Sequence, residues 1–253
     1  MELTFDTARL LGIVLSMTRV GAFALSSPIT RAFPASGRTA FSLALGWALA
    51  EPALADPSLS SFAVAVATNV GVGVILGFLT GVLMHAFEMA GSVMDLSSGL
   101  SASSLFDPLT GHSATVFSRA FHLTAISLWL VMGGDRLAIE GLGATVEMLP
   151  LDGTLSLSAG LAHTAVSVSA EMLLVAIQVT IPAFAALMVA EVGLGVASRF
   201  APQANVFALG LPLKLIAALA TVGLVVAGFP SAVSGAMDST REIIVTTIRG
   251  LGG

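Results

Sequence analysis

IPAFAALMVAEVGLGVASRFAPQANVFALGLPLK, residues Ile181 to Lys214, sets Pro182, Glu191, Arg199, Pro202, Gln203, Asn205, Gly210, Pro212 and Lys214 between two strongly apolar runs. Each of these residues is costly in hydrocarbon. Backbone interrupted at membrane depth must be buried in protein or line a wet cavity, because lipid tails satisfy no N–H or C=O group. Charged side chains inside a membrane segment point first to a functional site. Lys214 is the only lysine of the chain and lies inside an apolar run. The plain alternative is an ordinary loop or re-entrant hairpin between two spans, with Lys214 snorkelling to an interface.

The rest of the composition agrees with a bilayer. The 253 residues are 56% hydrophobic and 10% charged, with a mean hydropathy of +0.97. Soluble domains carry roughly 25% charged residues, so the expected class is all-α and membrane-associated. Polar linkers are scarce, which predicts one helical domain over residues 1–253. A net charge of −5 offers nucleic acid nothing to hold. Cysteine is absent, which removes disulfides, iron–sulfur clusters and thiolate zinc sites.

Six apolar segments follow along the chain: 10–29, 39–50, 62–87, 114–132, 155–189 and 206–230. The first is not a signal peptide on this reading, because Glu2 and Asp6 offset Arg9 and Arg19 interrupts the run. Arg19 costs about 2.5–3.5 kcal/mol at mid-membrane, so it should face protein or water. Pro28, Arg31, Pro34 and Arg38 form a short basic turn. The second run is too short to span, since a span takes roughly 20 residues. In the third, Gly73, Gly77 and Gly81 recur every four residues, a small-residue stripe that admits a second backbone. They do not match a dinucleotide fingerprint.

A polar interruption, His85 to Ser113, comes next. His85 and Glu88 share a helical face, but no second histidine completes a zinc-protease pattern, and the pair reads as packing. Gly99, Ser101, Ser103 and Ser104 make a flexible segment ended by the Phe106-Asp107-Pro108 turn. A connecting loop of this length is often functional. Gly133 to Gly153 reads as acidic and turn-rich. The fifth run is overlong, with Pro182 expected to kink it, and Glu171 and Gln178 fall on one face as a polar seam or bundle bonds. Asp238 to Arg249 is a mixed-charge helical tail. Arginines tie, four against four, across six alternating segments, so the positive-inside rule gives no orientation.

RFAPQANVFALGLPLK resembles the signature of the FliR family, the R subunit of the flagellar type III protein-export gate, homologous to the T subunit of virulence injectisomes. The block GFLTGVLMHAFEMAGSVMDLSSGLSASSLFDPLTG resembles that family's other distinctive stretch, as do the turn around Arg31 and Arg38 and the segment 133–150. The likeness covers nearly the whole chain in order. Gly210 and Phe106-Asp107-Pro108 look more flagellar than injectisome-like. Glu88, at a position where glutamine is expected more often, departs from the pattern.

The resemblance implies a P-like part followed by a Q-like part, assembled with several P and Q subunits and with the B and A membrane proteins of the export apparatus. It places the complex in the bacterial inner membrane at the flagellar basal body, where unfolded rod, hook and filament proteins leave the cytoplasm. It also implies a plug between the middle helices, here Ser101, Ser103, Ser104, Leu105, Phe106, Asp107, Pro108 and Leu109. No cofactor, metal or catalytic residue is expected. Arg19, Glu171, Glu191, Arg199, Gln203, Asn205 and Lys214 are the polar residues assigned to assembly. Too few opposite charges are at hand for Arg19, Glu88, Glu171 and Lys214, which predicts completion by partner subunits. An ion-coupled small-molecule transporter would explain Glu171, Glu191 and Lys214 but predicts an internal repeat, and the glycine stripe has no counterpart in the second half. An intramembrane enzyme needs convergent acid, base or metal groups, and only His85 and Glu88 come close.

Overall fold

Apolar sequence of this kind can cross a bilayer only with its backbone bonds closed, as helices or as a closed barrel. In the computed structural model the chain takes the helical solution. The structure describes residues 7–54, 58–100, 115–153, 159–200 and 206–252, and among these there is no strand. Helices α1 (Thr7–Ser26), α2 (Ala35–Ala48), α3 (Leu59–Gly81), α4 (Met84–Ser98), α5 (Val116–Val131), α6 (Gly134–Met148), α7 (Ala159–Phe200) and α8 (Val206–Gly252) follow in order, with a 3-10 turn at Thr30–Ala32. Four are long and apolar enough to cross a membrane: α1, α3, Val166–Val196 within α7 and Pro212–Thr247 within α8. A fifth span results if α5 and α6 count as one broken span. The chain is an all-α integral membrane protein.

Among the described residues eight helices stand where six segments were expected, and each difference has a local cause. The run 62–87 divides at Val82 and Leu83 into α3 and α4, so the polar interruption is helix from His85 as far as Ser98. Gly99, at φ 84°, ends α4 in the left-handed region that glycine enters without steric cost. The turn-rich reading of 133–153 is likewise corrected to helix α6. Its acids, Asp135, Glu140 and Glu147, lie on an amphipathic helix that hydropathy alone cannot see. Gly133, at φ 86°, starts it. The sixth segment extends through the mixed-charge tail to Gly252, and α7 runs through Pro182 to Phe200. Proline is tolerated inside membrane helices because neighbouring groups can re-satisfy the freed carbonyl. At 1.5 Å per residue the 42 residues of α7 measure about 63 Å, well beyond a hydrocarbon core of about 30 Å.

The helices gather into two compact units. The first comprises residues 1–83, 133–170 and 237–253. The α3 helix opens with a reciprocal cap in which the Ser61 backbone N–H donates to Ser58 Oγ (3.1 Å) and the Ser58 N–H to Ser61 Oγ (2.9 Å). Its glycine face then meets α1. A Cβ on Gly73 would collide with the Arg19 carbonyl and lie 2.8 Å from Ala22 Cβ; one on Gly77 would collide with Ser26 Oγ and lie 2.7 Å from the Phe23 carbonyl. Gly81 abuts Pro28 in the same way, and Gly46 of α2 brings that helix against Met17 of α1. Val20, Phe23, Val72, Leu76, Leu142 and Leu149 form the buried apolar centre.

The second unit comprises residues 84–132 and 171–236. Phe229 receives Phe87 and Phe121 edge-on, each with ring centroids 5.0 Å away, the geometry favoured by the ring quadrupole. Gly91 lets α4 approach α5 closely, since a Cβ there would run into the Ser118 backbone.

Gly77→Leu should therefore act on the chain's own fold, pushing α1 from α3. We expect a loss of about 1–3 kcal/mol, and more if the helices separate. Thermal unfolding of the purified chain in detergent measures it, and an unchanged midpoint would show the stripe to be idle.

Candidate functional site

Arg19 lies in the middle of α1, 1% exposed, yet none of its bonds goes to an acid. Its Nε donates to Asn69 Oδ1 (2.8 Å), one terminal nitrogen to the Thr145 carbonyl (2.8 Å) and the other to the Leu149 carbonyl (2.9 Å). A longer bond reaches Thr145 Oγ1 (3.4 Å). The last carbonyls of a helix have no intrahelical donor and carry its negative dipole end. Thr145 and Leu149 sit at that end of α6. The Thr145 carbonyl also accepts from Leu149 N (3.0 Å), so the guanidinium is its second donor, and it caps α6 at Leu149 while its own buried donors are satisfied. Asn69 is fixed in turn, its Nδ2 donating to Ala65 O (2.7 Å) and Leu151 O (2.8 Å). Three helices and the chain after α6 thus close on one cation.

In the second unit the opposite charge does the opposite task. Asp95 of α4 is fully buried, with Oδ1 accepting from Phe117 N (3.2 Å) and Oδ2 from Ser118 N (2.9 Å). These are free first-turn donors of α5, whose own N-cap residue, Thr115, supplies no side-chain bond. A carboxylate at a helix N-terminus also matches the dipole. Nearby, Glu88 Oε2 bonds His85 Nδ1 at 2.9 Å and stands 3.9 Å from His122 Nδ1. Among the described residues no three His, Asp or Glu side chains converge as a metal site.

The organising stretch is bracketed by an ion pair. Lys214 Nζ of α8 donates to Glu191 Oε1 of α7 at 2.8 Å, with Glu191 half exposed. Arg199 is exposed near the end of α7, and Gly210 is buried in α8. Gln203 and Asn205 lie outside the described residues, as do Ser101, Ser103, Ser104, Leu105, Phe106, Asp107, Pro108 and Leu109. Glu171 is partly buried and bonded, whereas Gln178 is exposed, so the two do not share one environment. The shortage of partners predicted for Arg19 and Lys214 is corrected here: Arg19 is satisfied by neutral acceptors and Lys214 by Glu191, all within the chain. Counting acids overlooked helix-end carbonyls as partners for a cation. Asn69, Asp95 and Thr145 have partners 22 to 126 residues away, and no local spacing marks them in the sequence. An asparagine inside an otherwise apolar span was the one available signal.

Comparison with known proteins gives these features a family. The family described as bacterial export proteins, family 1, matches residues 10–240. The chain is similar to flagellar biosynthetic protein FliR of Escherichia coli (strain K12), 29% identical over 214 residues that cover 82% of this chain and 79% of that protein. It is 27% identical to flagellar biosynthetic protein FliR of Bacillus subtilis (strain 168) over 146 residues, 57% of this chain. Surface presentation of antigens protein SpaR of Shigella flexneri is 30% identical over 148 residues, 58% of this chain. The alignments span little more than half the length of the last two proteins, 56% and 57%. With a match running from the first third of α1 into the last helix, the chain belongs to the bacterial export proteins, family 1.

Proposed function

We propose that this chain is the R-type subunit of a flagellar export gate, a membrane component through which unfolded rod, hook and filament proteins leave the cytoplasm. The observation that carries this is the likeness to a flagellar biosynthetic protein across 82% of the chain. On this reading the protein works in the inner membrane at the basal body, with several P and Q subunits and the B and A membrane proteins as partners. The reading assigns it a conduit role and no catalytic step or cofactor. Faces left apolar and uncovered support an assembled role: Leu173, Leu174, Ile177, Ile181, Val189 and Val192 are all exposed along α7. The likeness to SpaR favours a second reading, the equivalent subunit of a virulence injectisome.

Glu191, Arg199, Gln203, Asn205 and Lys214 are assigned to subunit contacts around the stretch between α7 and α8, and Glu171 to a polar contact within the helices. Residues Ser101 to Ser113 are assigned to closure of the conduit. Hydrophobic constrictions exclude ions by dewetting, and Leu105, Phe106 and Leu109 are the apolar residues available to form one.

Expression in a flagellated bacterium lacking its own FliR protein tests the role. Restored swimming and filament-protein secretion are expected, while a chain that reaches the membrane and restores neither contradicts the reading. Restoration in an injectisome mutant lacking SpaR, and not in the flagellar one, would favour the second reading. Deleting Leu105 to Leu109 should leave co-purification with the P and Q subunits intact and make the membrane leak ions. A tight membrane around an assembled deletion mutant contradicts the closure role.

A further inference from the structure

A groove of about 370 Å3 lies between the second half of α1 and the first half of α2. Gly21, Ala24, Leu25 and Leu43 make its walls apolar, and Arg38 and Thr39 are its main polar features. The Arg38 Nε is buried and has no hydrogen-bond partner. An unpaired buried donor is costly, so an acceptor is called for at this place. The Thr39 and Ser42 hydroxyls donate to the carbonyls of Ser36 (2.9 Å) and Arg38 (2.8 Å), and neither accepts from Arg38 Nε.

Charge in the neighbourhood is one-sided. Between Asp6 and Glu51 the chain has four arginines and no acid, although the whole chain is acidic. Arg19 is consumed inside the fold and Arg9 has a contact of its own. Arg31, exposed in the 3-10 turn, and Arg38 are in no ion pair among the described residues. The first turn of α2 also lacks a side-chain cap, leaving further N–H donors for an external acceptor.

Position supplies the rest. The spanning helix α1 ends at Ser26, so Arg31 and Arg38 follow just beyond the end of a span, where headgroups begin. The 14 residues of α2 extend about 21 Å, too short to cross. One side of α2 carries Leu43 and Trp47, four residues apart and both more than half exposed. Tryptophan beside an uncovered leucine suits the lipid interface. We propose that this groove binds one anionic glycerophospholipid. Its phosphate accepts from Arg38, with Arg31 adding positive charge from the preceding turn, and an acyl chain lies along Ala24, Leu25 and Leu43. A zwitterionic headgroup carries its own cation and competes with both arginines. The proposal needs only the membrane setting and stands apart from the export reading.

Trp47 can report on it, since Trp129 is the only other tryptophan. The full chain carrying Trp129→Phe is reconstituted into phosphatidylcholine vesicles containing equal fractions of either phosphatidylglycerol or phosphatidylcholine brominated on the acyl chain. We expect phosphatidylglycerol to quench Trp47 with an apparent preference of about fivefold or more. Equal quenching by the two lipids overturns the site whatever any variant does. Arg38→Gln should abolish most of the preference and Arg38→Lys retain part of it; a preference unchanged in Arg38→Gln overturns the assignment. Millimolar inorganic phosphate should leave the preference in place, and its loss would show a free-anion site instead of a lipid site.

Discussion

A guanidinium buried without a carboxylate is the constraint on which the first unit depends. Removing Arg19 from water costs several kcal/mol unless its donors are matched. The match comes from the Asn69 side-chain oxygen and the Leu149 carbonyl, which need donors, and from the second acceptor site of the Thr145 carbonyl at the end of α6. Each side solves the other's problem, and neither solution works unless α1, α3 and α6 stand in one register. Close approach of α1 to α3 is the precondition, and Gly73 and Gly77 supply it. Small residues let the backbones touch, and touching backbones leave only one place for the long side chain to go.

Asp95 repeats the logic with the sign reversed. A buried anion takes the free N–H groups at the start of α5, as a buried cation takes carbonyls at the end of α6. In both cases a side chain from one helix caps another. Such pairing holds two helices together in a medium that gives apolar faces no reason to associate, because lipid tails are as apolar as leucine. It also explains how a chain with 10% charged residues can bury two of them in its interiors. The remaining polar groups of interest, the exposed Glu191 and the half-buried Lys214, pair with each other at the segment most like the family signature.

Composition sufficed for the class, because a mean hydropathy of +0.97 leaves little but membrane helices. The four-residue glycine spacing marked a close-packed face, and α3 does carry those glycines toward α1. Hydropathy failed where helices are amphipathic. The segment 134–148 and the polar residues after His85 looked like loops, since a window average cannot separate a mixed face from a turn. Pro182, expected to kink the fifth run, lies inside the single helix α7. Long-range polar contacts were invisible for a plainer reason: Arg19 meets Thr145 across 126 positions, and no spacing rule connects them. Resemblance to a family reached the function that these local rules could not.

Arg19 and Asn69 act as a unit, and a double-mutant cycle can measure their coupling. Arg19→Leu, Asn69→Leu and the double variant of the isolated chain would be compared by unfolding in mixed detergent. A coupling energy of about 1.5–3 kcal/mol between the two positions is the predicted result, as for a hydrogen bond to a charged group. Additive losses, with Asn69→Leu costing as much without Arg19 as with it, would contradict the lock and leave partner subunits as the source of Arg19's stability.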